Sequence, residues 1–207
     1  MLGYLPPGAA RADRVREEIV VKTRDLAYIA LFAAIIAVLG TIPAIPVGPV
    51  PITAQTLGVM LAGAVLGARR GFLAVLLFLV LVAVGLPLLA SGAGGLAPFV
   101  GTSAGYLYSW PVAAFVIGWL TERSWARYNV VRGTLINVVG GIVVIYAVGV
   151  PVLKAVAGLS WGQALTGGAV PFLPGDLVKA FVAAAIADVV RRSYPIIERP
   201  RRTAATR

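Results

Sequence analysis

LAYIALFAAIIAVLGTIPAIPVGPVPITAQTLGVMLAGAVLGA, residues 26–68, contains no Asp, Glu, Lys or Arg across 43 positions. As one helix it would extend roughly 65 Å, about twice the ~30 Å hydrocarbon thickness of a bilayer. Pro43, Pro46, Gly48, Pro49 and Pro51 divide it, because proline removes a backbone donor and tends to end a helix before it. The stretch therefore predicts two membrane helices, the first near Leu26 to Ile42 and the second near Ile52 to Leu66.

Working outward, a second uncharged run of 51 residues extends from Gly71 to Thr121. Its centre is Ser91-Gly92-Ala93-Gly94-Gly95, continuing through Pro98 to Gly101-Thr102-Ser103-Ala104-Gly105. It reads as a third span near Phe72 to Leu88, a glycine-rich loop, and a fourth span near Tyr106 to Leu120. A fifth span is expected from Leu135 to Val150, closed by Pro151, and a sixth from Pro171-Phe172-Leu173-Pro174-Gly175 to about Val190. The fold class is an all-α integral membrane protein of six transmembrane helices. The composition agrees: 59% of the 207 residues are hydrophobic and 13% charged, with mean hydropathy +0.92, against roughly 25% charged in soluble domains.

Lys and Arg accumulate in short cytoplasmic loops. Sixteen of the 18 basic residues lie before span 1, between spans 2 and 3, between spans 4 and 5, or after span 6. The three opposite loops hold only Lys154, and Lys179 lies inside span 6. Both termini are thus expected in the cytoplasm of a multi-pass, prokaryotic-type cell membrane protein. Residues 1–24 read as a mostly disordered basic tail at the lipid surface, 25–190 as the membrane domain, and 191–207 as a second basic tail. The hydrophobic run exceeds the about 7–15 residues of a secretory signal, so span 1 is read as retained.

The chain has no cysteine and no histidine, which removes disulfides, thiol nucleophiles, imidazole bases and the commonest transition-metal ligands. No enzyme class is favoured and no cofactor or metal is expected. The net charge of +10 is divided among loops and tails, so it makes no nucleic-acid face.

Three features carry candidate chemistry. Glycines at Gly92, Gly94 and Gly95 allow backbone N–H groups to approach an anion, although a plain external turn has the same composition. Asp176 and Lys179 share one face of span 6. An ionisable pair in a span is a functional-site hypothesis, while Asp176 would also complement the helix N-terminus and Lys179 could snorkel outward. Thr53 and Gln55 begin span 2 on the same side, as hydrogen-bonding groups or as cap and solvated loop residue. Asp188, three residues before Arg191, is expected to form a surface pair. Ala30 with Ala34 and Ala33 with Ala37 form a small-residue pattern on span 1, suited to internal packing or to a partner helix.

Taken in order, Thr53-Ala54-Gln55-Thr56-Leu57-Gly58-Val59, Leu61-Ala62-Gly63, Leu66-Gly67-Ala68-Arg69-Arg70-Gly71 and Val84-Gly85-Leu86-Pro87 resemble the BioY family. So do the glycine segment, Gly101-Thr102-Ser103-Ala104-Gly105-Tyr106-Leu107 and Phe172-Leu173-Pro174-Gly175-Asp176-Leu177-Val178-Lys179-Ala180. BioY proteins are the biotin-specific S components of energy-coupling-factor (ECF) transporters. The resemblance implies a six-helix bundle that binds biotin near its outer face and docks through span 1 onto a transmembrane T subunit served by two ATPase subunits. This chain has no phosphate-binding loop of its own.

The resemblance also implies a biotin site of Gln55, Ser91, Gly92, Gly94, Gly105, Tyr106, Asp176 and Lys179, with Ala30, Ala33, Ala34 and Ala37 for docking. Asp176 would accept from a ureido N–H and Lys179 would donate to the ureido oxygen. Backbone N–H groups around Ser91, Gly92 and Gly94, with the Ser91 hydroxyl, would hold the carboxylate. Ser91 stands where the family often has asparagine or glycine, and Gly105 where some members carry a basic residue. Alternatives are a solitary biotin permease, an S component for another vitamin such as thiamin or riboflavin, and an intramembrane enzyme, for which no nucleophile, base or metal set converges.

Overall fold

The computed structural model describes residues 9–46, 48–194 and 196–197, with side chains from residue 23 onward. Its helices are α1 (Ala9–Gly40), α2 (Gln55–Leu66), α3 (Ala68–Ala83), α4 (Ala104–Ser124), α5 (Val130–Val138), α6 (Ile145–Ala157), α7 (Trp161–Gly168) and α8 (Leu173–Ser193). A π-helical turn, Val139–Val144, joins α5 to α6 without a break. Among the described residues the only β pairing is one isolated bridge, Ile45 to Ile52, inside the α1–α2 loop.

The bundle packs as a membrane protein does, through small residues that let backbones close together rather than through a water-driven core. Gly118 on α4 stands against the α2–α3 junction, where an added Cβ would lie 2.3 Å from the Gly67 carbonyl carbon and the Ala68 nitrogen. Gly63 on α2 meets α4 nearly as closely, where an added Cβ would lie 2.5 Å from the Ala114 carbonyl oxygen and 2.8 Å from Ile117 Cβ. Phe78, Met60, Ile117 and Ile145 fill the centre, while Val80, Val112, Phe115, Val143 and Phe181 are exposed on the outside. In water such a surface would be an aggregation liability; in hydrocarbon it is the solvated face.

Two helical stretches, Thr23–Gly40 and Val130–Ala157, are long and apolar enough to cross a membrane, and the bent α7–α8 pair would make a third. α2, with 12 residues, spans only about 18 Å. Several expected boundaries shift. Span 5 does not close at Pro151, which lies inside α6; a transmembrane helix tolerates proline where neighbours and local π adjustments absorb the freed carbonyl. α7 lies in the connection where no helix was expected, and a capping box between Ser160 and Gln163 starts it. α3 begins at Ala68 rather than Phe72 because Gly67, at φ 86°, turns the chain directly from one helix into the next.

The terminal segments differ as well. α1 starts at Ala9, so much of the segment expected as a disordered tail is helical; residues 1–8 and 198–207 lie outside the described residues. Beyond α8 the chain turns back, burying Ile196 and Ile197, with the Ile196 carbonyl accepting from Arg70 Nη1 at 3.1 Å. The end of α1, the starts of α2, α4 and α8 and the loops joining them gather at the opposite end of the bundle.

Candidate functional site

Those converging ends enclose a cavity of about 310 Å³, within the ~300–1,000 Å³ usual for small-molecule sites. Its walls are mostly apolar: Val50, Pro51, Leu89, Leu107, Trp110, Ile145 and Phe172. One wall is polar, made by Thr53, Thr56, Tyr146, Asp176 and Lys179.

Asp176 sits in the first turn of α8 with its side chain 5% exposed. Its Oδ1 lies 2.9 Å from Lys179 Nζ and 3.5 Å from the Thr56 hydroxyl, while Oδ2 accepts from the Tyr146 hydroxyl at 2.7 Å. Lys179 also donates to the Thr53 carbonyl at 2.6 Å and to Thr56 Oγ1 at 3.0 Å. All three ammonium donor positions are therefore used, and the charge is neutralised where an unpaired one would be heavily penalised. A carboxylate acceptor and an ammonium donor are thereby fixed side by side on the cavity wall. That edge suits a neutral ligand carrying N–H donors beside a carbonyl acceptor, provided the carbonyl takes over the ammonium N–H now held by Thr53 or Thr56.

Gln55 lines the cavity but is 1% exposed, and its amide is committed. Nε2 donates to the Ile36 carbonyl at 3.2 Å and the Leu88 carbonyl at 3.0 Å, and Oε1 accepts from the Ala90 N–H at 3.0 Å. Two carbonyls on one side and an N–H on the other fix the orientation of the amide. Gln55 therefore ties the end of α1 to the α3–α4 loop. Tyr106 likewise reaches the cavity with its ring, stacked on Phe172 at 6.5 Å, while its hydroxyl donates to the Gly168 carbonyl at 2.7 Å.

The glycine segment sits differently from the expectation. Ala90 and Ala93 line the cavity, but Ser91, Gly92 and Gly94 do not. Ser91 is exposed, and the Gly92 N–H is spent on the Leu89 carbonyl at 3.0 Å. Gly105 is also absent from the wall; it lets α4 approach α6, where a Cβ would stand 2.5 Å from Val152 Cβ. In the small-residue pattern Ala30 and Ala34 are exposed, Ala33 is buried and Ala37 is partly buried. Asp188 pairs with Arg191 at 3.1 Å and also with Arg192 at 2.7 Å. It is buried rather than at the surface.

Thr56 and Tyr146 escaped the sequence reading. Tyr146 lies 30 positions from Asp176 in an apolar span, and only the tertiary fold brings its hydroxyl to the carboxylate. Its hydroxyl was nonetheless one of very few polar groups in that span, a signal that buried polar atoms need partners.

A family model described as the BioY family matches residues 12–196. The chain is 51% identical over 182 residues to a protein named biotin transporter BioY from Rhizobium etli, covering 84% of this chain and 97% of that one. It is 48% identical over 183 residues to a biotin transporter BioY from Rhodobacter capsulatus, covering 83% and 95%. Among solved structures it matches the S-component for biotin from an ECF-type ABC transporter with TM-score 0.80 and 34% identity, over 84% of this chain and 94% of that one.

Proposed function

The chain belongs to the BioY family, and from that premise we infer that it takes up biotin as the S component of an ECF transporter, with the cavity as its biotin site. Biotin is the transported ligand and not a cofactor, and the chain is a transporter rather than an enzyme. The observation that carries the site assignment is the Asp176–Lys179 pair on the cavity wall at 2.9 Å. Biotin's ureido group has two N–H donors and one carbonyl; the Asp176 carboxylate accepts from an N–H, and Lys179 would exchange its bond to Thr53 or Thr56 for the ureido oxygen. Its fused thioether ring would lie against Trp110 and Phe172, and Gln55 and Tyr106 would shape the wall without donating to the ligand.

Biotin's carboxylate has a natural counterpart in the N-terminus of α4, since Gly101, Thr102 and Ser103 line the cavity and helix N-termini favour anions. This reading assigns the carboxylate to the start of α4 in place of Ser91, Gly92 and Gly94. The uncharged runs support six crossings of the cell membrane, and the distribution of Lys and Arg supports both ends cytoplasmic, with the basic terminal segments on that side and the cavity outside. The exposed Ala30 and Ala34, flanked by exposed Leu31 and Val38, offer a small-residue face for the T subunit. ATP hydrolysis belongs to the two ATPase subunits.

Equilibrium binding of labelled biotin to the detergent-purified chain, with thiamin and riboflavin as competitors, tests the assignment. Saturable binding displaced by unlabelled biotin alone is expected. Absence of binding by a folded, monodisperse sample, or displacement by either other vitamin, would overturn the ligand. Uptake by cells with and without the coupling subunits separates the ECF-dependent route from solitary transport.

A further inference from the structure

We propose that the groove between α3 and α4, at the end of the bundle away from the cavity, binds one anionic phospholipid. Arg69 and Arg123 hold its phosphate, and an acyl chain lies along Phe72, Leu73, Val112 and Phe115. The inference rests on the membrane character of the chain and not on its vitamin.

The groove measures about 430 Å³ and Arg69 is its one charged lining residue. Two adjacent arginines have opposite fates here. Arg70 is committed, with Nε 3.0 Å from Asp25 Oδ1 and Nη1 on the Ile196 carbonyl. Arg69 is exposed and has no carboxylate within ion-pair distance among the described residues. Arg123 is also without one; its guanidinium lies 4.0 Å over the Trp119 ring.

The two arginines flank one junction. Glu122 Oε1 accepts from the Ala68 N–H at 2.8 Å, fastening the last turn of α4 to the first turn of α3, and Arg123 and Arg69 are the next residues along. Positions 69, 72 and 73 follow one face of α3, and 112, 115, 119 and 123 follow one face of α4. Phe72 meets Phe115 edge-on at 6.5 Å. An apolar furrow open to hydrocarbon, with Arg69 in its wall and Arg123 flanking the same junction, both without a carboxylate partner among the described residues, suits an amphipathic anion. Guanidinium forks match phosphate oxygens bidentately. A free phosphate would gain the arginines but leave the furrow unused, and a zwitterionic lipid would bring a cation beside them.

Native mass spectrometry of the full chain, offered phosphatidylglycerol and phosphatidylcholine with the same acyl chains at equal concentration, tests this. Wild type is expected to retain the anionic lipid at least fivefold over the zwitterionic one. Arg69→Gln with Arg123→Gln brings that ratio within twofold of unity, whereas Arg132→Gln, at the same end of the bundle, leaves it unchanged. Leu73→Trp, which fills the furrow without altering charge, lowers retention of both lipids. Should the double variant fail to give monodisperse protein, Arg69→Gln alone decides, with the ratio at least halved. The proposal is overturned by a wild-type ratio near unity, by an Arg69→Gln or double-arginine variant that keeps the full preference, by a Leu73→Trp variant that retains both lipids as wild type does, or by an equal loss in Arg132→Gln. Displacement of the lipid by inorganic phosphate as readily as by phosphatidylglycerol overturns it too.

Discussion

α8 carries two aspartates, each followed three residues later by a basic side chain, and the helix puts them to different uses. Asp176 and Asp188 are almost equally buried, with side chains 5% and 7% exposed, and both make charged contacts near 3 Å. What separates them is the other surroundings. Asp188 takes both partners from its own helix, and Arg191 lies over the rings of Trp125 and Tyr128 at 5.9 and 5.7 Å, which close the space. Burial pushes the Tyr128 hydroxyl up to about 12, so it stays neutral there. Asp176 instead draws partners from α2 and α6 and opens on a cavity. Spacing and burial alone do not make a binding site; the site arises where other helices leave room beside the pair.

The comparison is broken most directly at Asp176. Asp176→Asn is expected to weaken biotin binding at least tenfold, about 1.4 kcal/mol, and Lys179→Met to do at least as much, since it leaves the carboxylate without its cation. Titration with labelled biotin decides the matter. Unchanged affinity in a folded Asp176→Asn protein would remove the residue from the site and erase the distinction between the two aspartates.

The complementary change is Asp188→Asn. It loses charge-assisted hydrogen bonds to two arginines, a cost of about 2 kcal/mol in stability, while biotin affinity stays within twofold. Thermal unfolding in detergent beside a binding curve gives both numbers. A tenfold loss of affinity there would mean that the two pairs act as one unit along α8.

Tyr146→Phe sharpens the same contrast on a smaller scale. It deletes the 2.7 Å bond to Asp176 Oδ2 and leaves the ring in the wall. A loss of about 1 kcal/mol, roughly fivefold in affinity, is expected by the same titration. No change would show that Lys179 and Thr56 fix the carboxylate without it.

How far such a site is legible in sequence follows from where its partners lie. Asp176 and Lys179 sit one helical turn apart, so local spacing reveals them. Tyr146 and Thr56 are brought to them by tertiary crossings that no local period encodes. Gln55 lines the cavity as expected, but its tie between α1 and the α3–α4 loop was not legible, because its partners, Ile36, Leu88 and Ala90, come from two other segments. Helices announced themselves through uncharged runs, whereas Pro151 suggested an end that packing overrides. Gly105 drew notice for its position in a motif, and its use is close approach of α4 to α6.

The smallest effect is expected at Ser91, and it tests the rule from the opposite side. Ser91 stands next to the cavity-lining Ala90 but is itself exposed, with φ at 67°, a left-handed conformation that costs most L residues of order 1 kcal/mol. Its position depends on the turn held by Gln55 and not on its hydroxyl. Ser91→Ala should therefore leave biotin affinity within twofold, and Ser91→Gly should do the same while relieving the backbone and slightly raising thermal stability. If Ser91→Ala instead costs tenfold while Ser91→Gly is no more stable than wild type, the hydroxyl reaches the ligand through a different loop conformation. Lining the cavity would then no longer be the criterion that separates binding groups from structural ones.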